Sequence, residues 1–219
     1  MDPVTPKSQA VAELIRELEW LKLAQKPWLS LGCVRGLMQD NATIINQTQK
    51  WLSSVIIDHN LCPFAKREYD NGTIHYAVIS EMELERQLEQ VIKHCTALDE
   101  DGNRETSLLI FPEALSDFDI YLDVLAAATA LLKDQGYEGI YQLASFHPEY
   151  RFEGVEIDAP SNYTNRSPYP MLHILREASI ETVLENYPNP EKIPERNIKL
   201  TQELGLKVMQ DLLARCFKS

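Results

Sequence analysis

Three short runs of apolar and β-branched residues alternate along the chain with two segments of helical periodicity. The runs occupy residues 74–80, 108–111 and 140–146, and the helical segments between them span residues 84–98 and 116–132. Strands separated by helices in this order are typically parallel and joined by right-handed crossovers. The sequence therefore predicts an α/β fold with a small, mostly parallel β-sheet of at least three strands and flanking helices. A ferredoxin-like arrangement is the alternative, because the linkers do not fix the order of the strands.

Apolar spacing predicts three further helices, at residues 47–59, 171–186 and 198–217. Ser80 and Glu83 have the spacing of a capping box, in which each side chain binds a free backbone amide at the start of a helix. We therefore expect the helix between the first two strands to begin directly after Ser80.

The first forty residues are predicted to be an appendage to a single α/β domain that covers residues 41–219. Apolar residues recur at helical spacing over residues 10–25, and Pro27 ends that segment. We expect residues 1–40 to pack on the domain or on a partner, including a second copy of the chain.

The charge balance limits the partners of this chain. Its 33 acidic and 21 basic residues give a net charge of −12. Duplex nucleic acid and anionic membrane surfaces both draw their affinity from basic residues, so neither is an expected partner. The amino-terminal residues do not resemble a signal peptide, and no apolar run approaches the ~18 residues of a membrane-spanning helix. The sequence predicts a cytoplasmic protein with reduced thiols.

The end of the third predicted strand is the strongest candidate for a functional site. Ligands of open α/β sheets bind beyond the carboxyl ends of the strands. His147 follows the strand at residues 140–146 and precedes a long polar segment. A histidine in this position can serve as a general acid or base near neutral pH, and the alternative is a structural role.

Arg151, Arg166 and Arg176 bring three guanidinium groups into this part of an acidic chain. Guanidinium groups bind carboxylates and phosphates through two hydrogen bonds, so an anion site is predicted. The alternative is that each arginine pairs with a neighbouring carboxylate such as Asp158.

Two amides and a second histidine complete the candidate site. Asn162 and Asn165 flank Arg166 and are candidates for orienting a ligand. His173 is a candidate second acid or base, and on the predicted helix it lies beside Arg176, three residues further on.

Cys62 is a separate candidate. The predicted helix at residues 47–59 places this thiol near a helix carboxyl end, which disfavours the thiolate and favours an inert, packed cysteine. A location close to His147 would weaken that interpretation. No pair of His, Cys, Asp or Glu residues has metal-ligand spacing, so no metal site is predicted, and the cofactor remains open.

Three motifs in this order resemble a bacterial family catalogued as domain of unknown function 1415. They are Asn-Leu-Cys-Pro-Phe-Ala at residues 60–65, Phe-His-Pro at 146–148, and Asn-Arg-Ser-Pro-Tyr-Pro at 165–170 with His-Ile-Leu-Arg at 173–176. The resemblance covers about residues 43–205. It implies a cytoplasmic bacterial protein and brings no established activity, substrate or cofactor.

These features support three hypotheses. The first is an enzyme that acts on a small anionic metabolite, with Arg166 and Arg176 holding the anion and His147 moving a proton. The second is a non-catalytic module that binds a ligand or partner through the same anion site. The third is redox or covalent chemistry at Cys62.

Overall fold

The computed structural model describes residues 39–218, in which helices cover both faces of a four-stranded sheet. Most of the predicted appendage, residues 1–38, lies outside the described residues. Within them no helix is long and apolar enough to cross a membrane. The strands are β1 (Ile74–Val78), β2 (Thr106–Ile110), β3 (Tyr141–Phe146) and β4 (Met171–Arg176). The α-helices are α1 (Asn41–Trp51), α2 (Ala65–Asn71), α3 (Leu84–Glu100), α4 (Phe118–Asp134), α5 (Glu177–Glu185), α6 (Ile193–Leu204) and α7 (Leu206–Arg215).

The sheet is mixed, so the prediction of a mostly parallel sheet is wrong. The strand order is β1-β2-β4-β3. β1 and β2 are parallel, whereas β4 lies between β2 and β3 and is antiparallel to both. The three predicted strands do run in one direction, as their crossovers require. The element order β-α-β-α-β-β also differs from the β-α-β-β-α-β order of a ferredoxin-like fold.

β4 replaces the first half of a helix that was predicted over residues 171–186. Its apolar residues at positions 171, 172, 174 and 175 fit a helical stripe, which is why the pattern favoured a helix. In the structure β4 is a central strand with buried residues on both faces, so its side chains show no alternation of apolar and polar character. Only residues 177–185 form the helix, α5.

The core is divided by the sheet into two clusters. β2 is buried along its whole length, and its residues alternate between the two sides. Leu109 packs with α3 and α4, whereas Leu108 and Ile110 pack on the opposite face with α1 and the π-helix Leu52–Ile57 that follows it. Full burial of each such side chain contributes about 1.5–3 kcal/mol. The prediction of a buried strand at residues 108–111 is confirmed, although the strand spans residues 106–110.

Several helix ends differ from the predicted ones. The capping box is wrong, because α3 begins at Leu84 and Glu83 makes no side-chain cap. Instead Gln87 donates to the carbonyl oxygen of Glu81 at 2.9 Å. The predicted last helix is two helices, since Gly205 separates α6 from α7 with a backbone φ of 81° that only glycine adopts readily.

Tyr121 of α4 connects β3 and β4 at the end of the sheet where β3 finishes. Its side chain is fully buried. The hydroxyl group donates to the carbonyl oxygen of Met171 at 2.8 Å and accepts from the amide of Phe146 at 3.0 Å. One hydroxyl therefore fixes the last residue of β3 beside the first residue of β4.

Substitution Tyr121→Phe is expected to destabilise the fold by about 1–3 kcal/mol, because a buried amide and a buried carbonyl lose their partner. Urea denaturation followed by circular dichroism measures the difference. Tyr69→Phe is the control, since Tyr69 is exposed and its change should stay within about 0.5 kcal/mol. Equal effects of the two substitutions would show that the Tyr121 hydroxyl does not hold the strands.

Candidate functional site

Two of the three sequence motifs meet beyond the ends of β3 and β4. Residues 147–170 leave the sheet after Phe146 and return at Met171, its partner in the ladder. The amide of His147 donates to the carbonyl oxygen of Asn165 at 3.2 Å, and the Asn165 side-chain amide donates to the carbonyl of Ser145 at 3.0 Å. The loop is thereby closed on itself at its base.

His147 is fully buried and both of its ring nitrogens are engaged. Nδ1 accepts from the amide of Glu149 at 3.0 Å, so we infer that Nε2 carries the hydrogen and donates to the carbonyl of Leu115 at 2.9 Å. Leu115 has a φ of 61°, which is unfavourable for leucine, and this hydrogen bond helps to hold it. Burial lowers the pKa of His147. These contacts support a structural role and give less support to proton transfer.

Asn162 and Arg166 hold the outer part of the loop through its backbone. The Asn162 amide donates to the carbonyls of Glu156 and Ile157 at 2.9 and 3.2 Å, and its oxygen accepts from the amide of Phe152 at 3.2 Å. Arg166 donates through Nε to the carbonyl of Tyr150 and through a terminal nitrogen to the carbonyl of Ile157, at 3.1 and 2.7 Å. Both side chains were predicted to bind a ligand, and both are occupied by the loop.

Arg151 and Asp158 are exposed on the same loop. Arg176 lies at the opposite end of the sheet, because it pairs with Tyr141 at the start of β3. That end is about 16 Å from Met171, at ~3.3 Å per residue. The structure therefore does not bring Arg176 together with Arg166.

Arg176 is engaged where it lies. Its guanidinium group donates to the hydroxyl of Tyr141 at 3.0 Å and to the carbonyl oxygens of Leu98 and Arg104, and Glu105 is 3.9 Å away. The prediction that His173 and Arg176 are neighbours on a helix is wrong, because residues three apart on a strand point to opposite faces of the sheet.

His173 lies in the middle of β4 and hydrogen-bonds within the sheet. Its Nε2 is 2.6 Å from the hydroxyl oxygen of Thr106, which itself donates to the carbonyl of Ile174 at 2.5 Å. Burial lowers the pKa of His173 to about 4, so the ring is neutral at physiological pH.

Cys62 lies just before α2, so its predicted location at a helix carboxyl end is wrong. The backbone amides of Phe64 and Ala65, at the start of α2, and the nearby Arg196 each favour the thiolate. Burial outweighs them and raises the pKa of the Cys62 thiol. The thiol is therefore protonated at neutral pH, for a reason other than the predicted one.

A pocket of about 580 Å³ lies between Cys62, residues 147–170 and α6. Its apolar lining comes from eight residues: Ile56, Leu61, Phe146, Phe152, Val155, Ile193, Pro194 and Ile198. Five polar side chains complete it: Cys62, Ser161, Thr164, Asn165 and Asn197. Of the described residues, none that lines the pocket carries a formal charge. The segment that contains Cys62 is thus close to the His147 motif, through Phe146 and Asn165.

The contribution of α6 was missed by sequence reasoning. Arg196 and Asn197 contact the backbone that precedes Cys62, and the Asn197 amide donates to the carbonyl of Leu61 at 2.7 Å. The signal in the sequence was Asn197 and Thr201, four residues apart on the inward stripe of an amphipathic helix. Polar residues on such a stripe require partners, which they find here in the loop and in the helix backbone.

A pair of histidines lies on the face of the sheet opposite the pocket. The ring of His94 on α3 stacks on His75 of β1 with centroids 5.4 Å apart, and His94 is buried. Burial and the neighbouring His75 lower the pKa of His94 to about 4. Among residues 39–218, no three His, Cys, Asp or Glu side chains are placed to share a metal ion.

The fold and the pocket define a mixed α/β protein with an uncharged pocket at the end of its sheet where β3 finishes. A family model described as "Protein of unknown function (DUF1415)" matches residues 43–211, and the chain belongs to this family. The match confirms the resemblance predicted from the three motifs, all of which lie within it. No curated protein and no solved structure matches the chain.

Substitution Arg166→Met is expected to destabilise the fold by about 2–4 kcal/mol, because two charge-assisted hydrogen bonds to carbonyl oxygens are lost. Arg151→Met is the matched control on the same loop and should change stability by less than about 0.5 kcal/mol. Urea denaturation measures both. Stabilisation of the wild type by inorganic phosphate that disappears in Arg166→Met would instead favour the anion-binding prediction.

Stability is expected to fall as the pH decreases from about 6.5 to 4. His94 and His173 have folded-state pKa values of about 4, below the ordinary value of 6.5. The unfolded state therefore binds protons first, and each histidine lowers the free energy of unfolding by up to about 1.4 kcal/mol per pH unit in this window. Carboxyl groups with lowered pKa values, such as Asp101, titrate below it.

Urea denaturation between pH 7 and 4 measures this slope. The substitution His94→Gln removes one of the histidines whose pKa is lowered and should make the slope shallower, whatever its effect on stability at pH 7. An unchanged slope would contradict the assignment of His94 as a buried neutral histidine.

Proposed function

We propose that the protein binds an uncharged, largely apolar small molecule in the pocket between Cys62, residues 147–170 and α6. The observation that carries the proposal is the lining, which combines eight apolar residues with five neutral polar side chains and no charge. A volume of about 580 Å³ is within the range of small-molecule sites, which are mostly apolar with a few polar groups that orient the ligand.

The polar groups of the lining narrow the class of ligand. Thr164 donates within the wall to Ser161 and Asn165, and the amides of Asn165 and Asn197 donate to backbone carbonyls. In the described part of the chain the Cys62 thiol and the Ser161 hydroxyl remain as hydrogen-bond donors for a ligand, together with the second N–H of each of these two amides. A neutral molecule with an apolar body and a carbonyl or ether oxygen fits these groups.

An anionic ligand receives less support from this geometry. Arg166 and Arg176 already donate to carbonyl oxygens and to a tyrosine hydroxyl, and they lie at different ends of the sheet. The two Arg166 contacts hold residues 147–170, so an anion could use only those donors of this guanidinium group that the loop leaves. We therefore favour the hypothesis of a non-catalytic binding module, with a neutral ligand in place of the predicted anion.

The uncharged fluorescent dye N-phenyl-1-naphthylamine tests the proposal, since its emission rises in an apolar site. We expect saturable binding to the wild type. Val155→Trp should weaken binding by about tenfold or more, because the larger side chain enters the volume that the dye needs. Such overpacking costs on the order of 1–3 kcal/mol of binding free energy. Ile157→Trp is the matched control, since Ile157 is exposed on the same loop and does not line the pocket.

Circular dichroism melting shows whether both tryptophan variants are folded. Equal affinity of the dye for the two variants, or no saturable binding to the wild type, would contradict the proposal. Displacement of the dye by inorganic phosphate would instead favour an anionic ligand.

A further inference from the structure

The wall that α6 contributes to the pocket is held by polar contacts and by apolar side chains that are only partly buried. The buried residues of α6 are Asn197 and Thr201, both polar, and α5 has no buried residue. Leu200 and Leu204 pack against the core from the same helix but are only partly buried. Thr201 donates within its own helix, so the side-chain hydrogen bonds that join this wall to the Cys62 segment come from Arg196 and Asn197.

Those hydrogen bonds converge on the two carbonyl groups that precede Cys62. The Asn197 amide donates to Leu61 at 2.7 Å, and the Arg196 guanidinium donates to Asn60. Arg196 also donates to the side-chain oxygen of Asn197 at 2.9 Å and to the hydroxyl of Tyr187 at 3.1 Å. We call Arg196 and Asn197, with these contacts, the latch.

Both ends of the α6 segment have backbone conformations suited to a change of direction. Asn189 has a φ of 52° and Gly205 a φ of 81°. A Cβ atom added at Gly205 would meet no atom within 4 Å, so glycine is required there by the backbone and not by packing. Residues at element ends commonly absorb the rotation in hinge movements.

We propose that the latch is the gate of the pocket. When Arg196 and Asn197 release the carbonyls of Asn60 and Leu61, α6 separates from the Cys62 segment, which widens the pocket and further exposes the partly exposed Cys62 thiol. On the other side α6 remains packed against the 3₁₀-helix Pro160–Thr164. This inference rests on the proposed function, because it describes how a ligand reaches that pocket.

The rate at which N-ethylmaleimide alkylates Cys62 reports the opening, and peptide mass spectrometry separates this residue from the other cysteines. The reagent is uncharged, so electrostatic attraction does not affect its approach. Asn197→Ala removes the hydrogen bond without adding apolar surface that would hold α6 in place, and it should accelerate alkylation about fivefold or more. Lys199→Met, on the exposed side of α6, is the control and should leave the rate unchanged.

Arg196→Met distinguishes a gate from an electrostatic effect. Arg196 favours the Cys62 thiolate, so removal of its charge alone would slow alkylation. Loss of the latch would accelerate it. Faster alkylation in both Arg196→Met and Asn197→Ala supports the gate, and an unchanged or slower rate in either overturns it.

The buried Cys95 and Cys216 control for general loosening of the fold. The gate predicts acceleration at Cys62 alone, and equal acceleration at all three residues overturns it. The readout needs no ligand. If the latch variants accelerate alkylation while N-phenyl-1-naphthylamine fails to bind, the gate stands and the proposed ligand class fails. If the dye binds and the alkylation rates are unchanged, the proposed function stands and the gate fails.

Discussion

The hydrogen bonding of β4 to β2 on one side and to β3 on the other is the constraint on which the site depends. Because β4 runs antiparallel to β3 and Met171 pairs with Phe146, the chain leaves the sheet and re-enters it at one edge. Residues 147–170 must therefore fold back over that edge without a regular ladder. Their backbone needs other partners, and the side chains of Asn162, Asn165 and Arg166 supply them. The pocket lies between this loop and α6.

The sequence predicted the parts of the fold that have a single-sided pattern. α3 and α4 each bury one stripe of residues. The three strands that the sequence predicted, β1, β2 and β3, are each bounded by glycine, proline or polar residues. β4 was missed because a strand buried on both faces has no alternation, and its apolar spacing also fits a helix. Its insertion is a tertiary event, set by pairing with β2 and β3, and no local signal announces it. One unrecognised strand was sufficient to change the sheet from mostly parallel to mixed.

The sequence indicated which segments lie near the pocket, but it did not indicate what most of the side chains in them do. Cys62 and Asn165 line the pocket, and Phe146 beside His147 does so as well. His147, Asn162 and Arg166 instead satisfy backbone groups. A guanidinium group that binds an anion and one that binds carbonyl oxygens have the same sequence signature, since both are arginines in a polar loop. What separates them is the demand of an irregular buried backbone for donors, and that demand becomes visible only when the loop has a shape.

The same physical distinction explains why α6 differs from the other helices. A leucine buried at the position of Asn197 would contribute about 1.5–3 kcal/mol and would fix the wall permanently. A hydrogen bond contributes about 0.5–1.5 kcal/mol net, since water replaces either partner when the contact breaks. In the proposed gate, two or three such bonds would keep the wall closed for most of the time and still allow it to open through thermal fluctuation. For the proposed gate, a buried asparagine on the inward stripe of α6 suits a wall that has to close and open, whereas α3 and α4 bury mainly apolar residues.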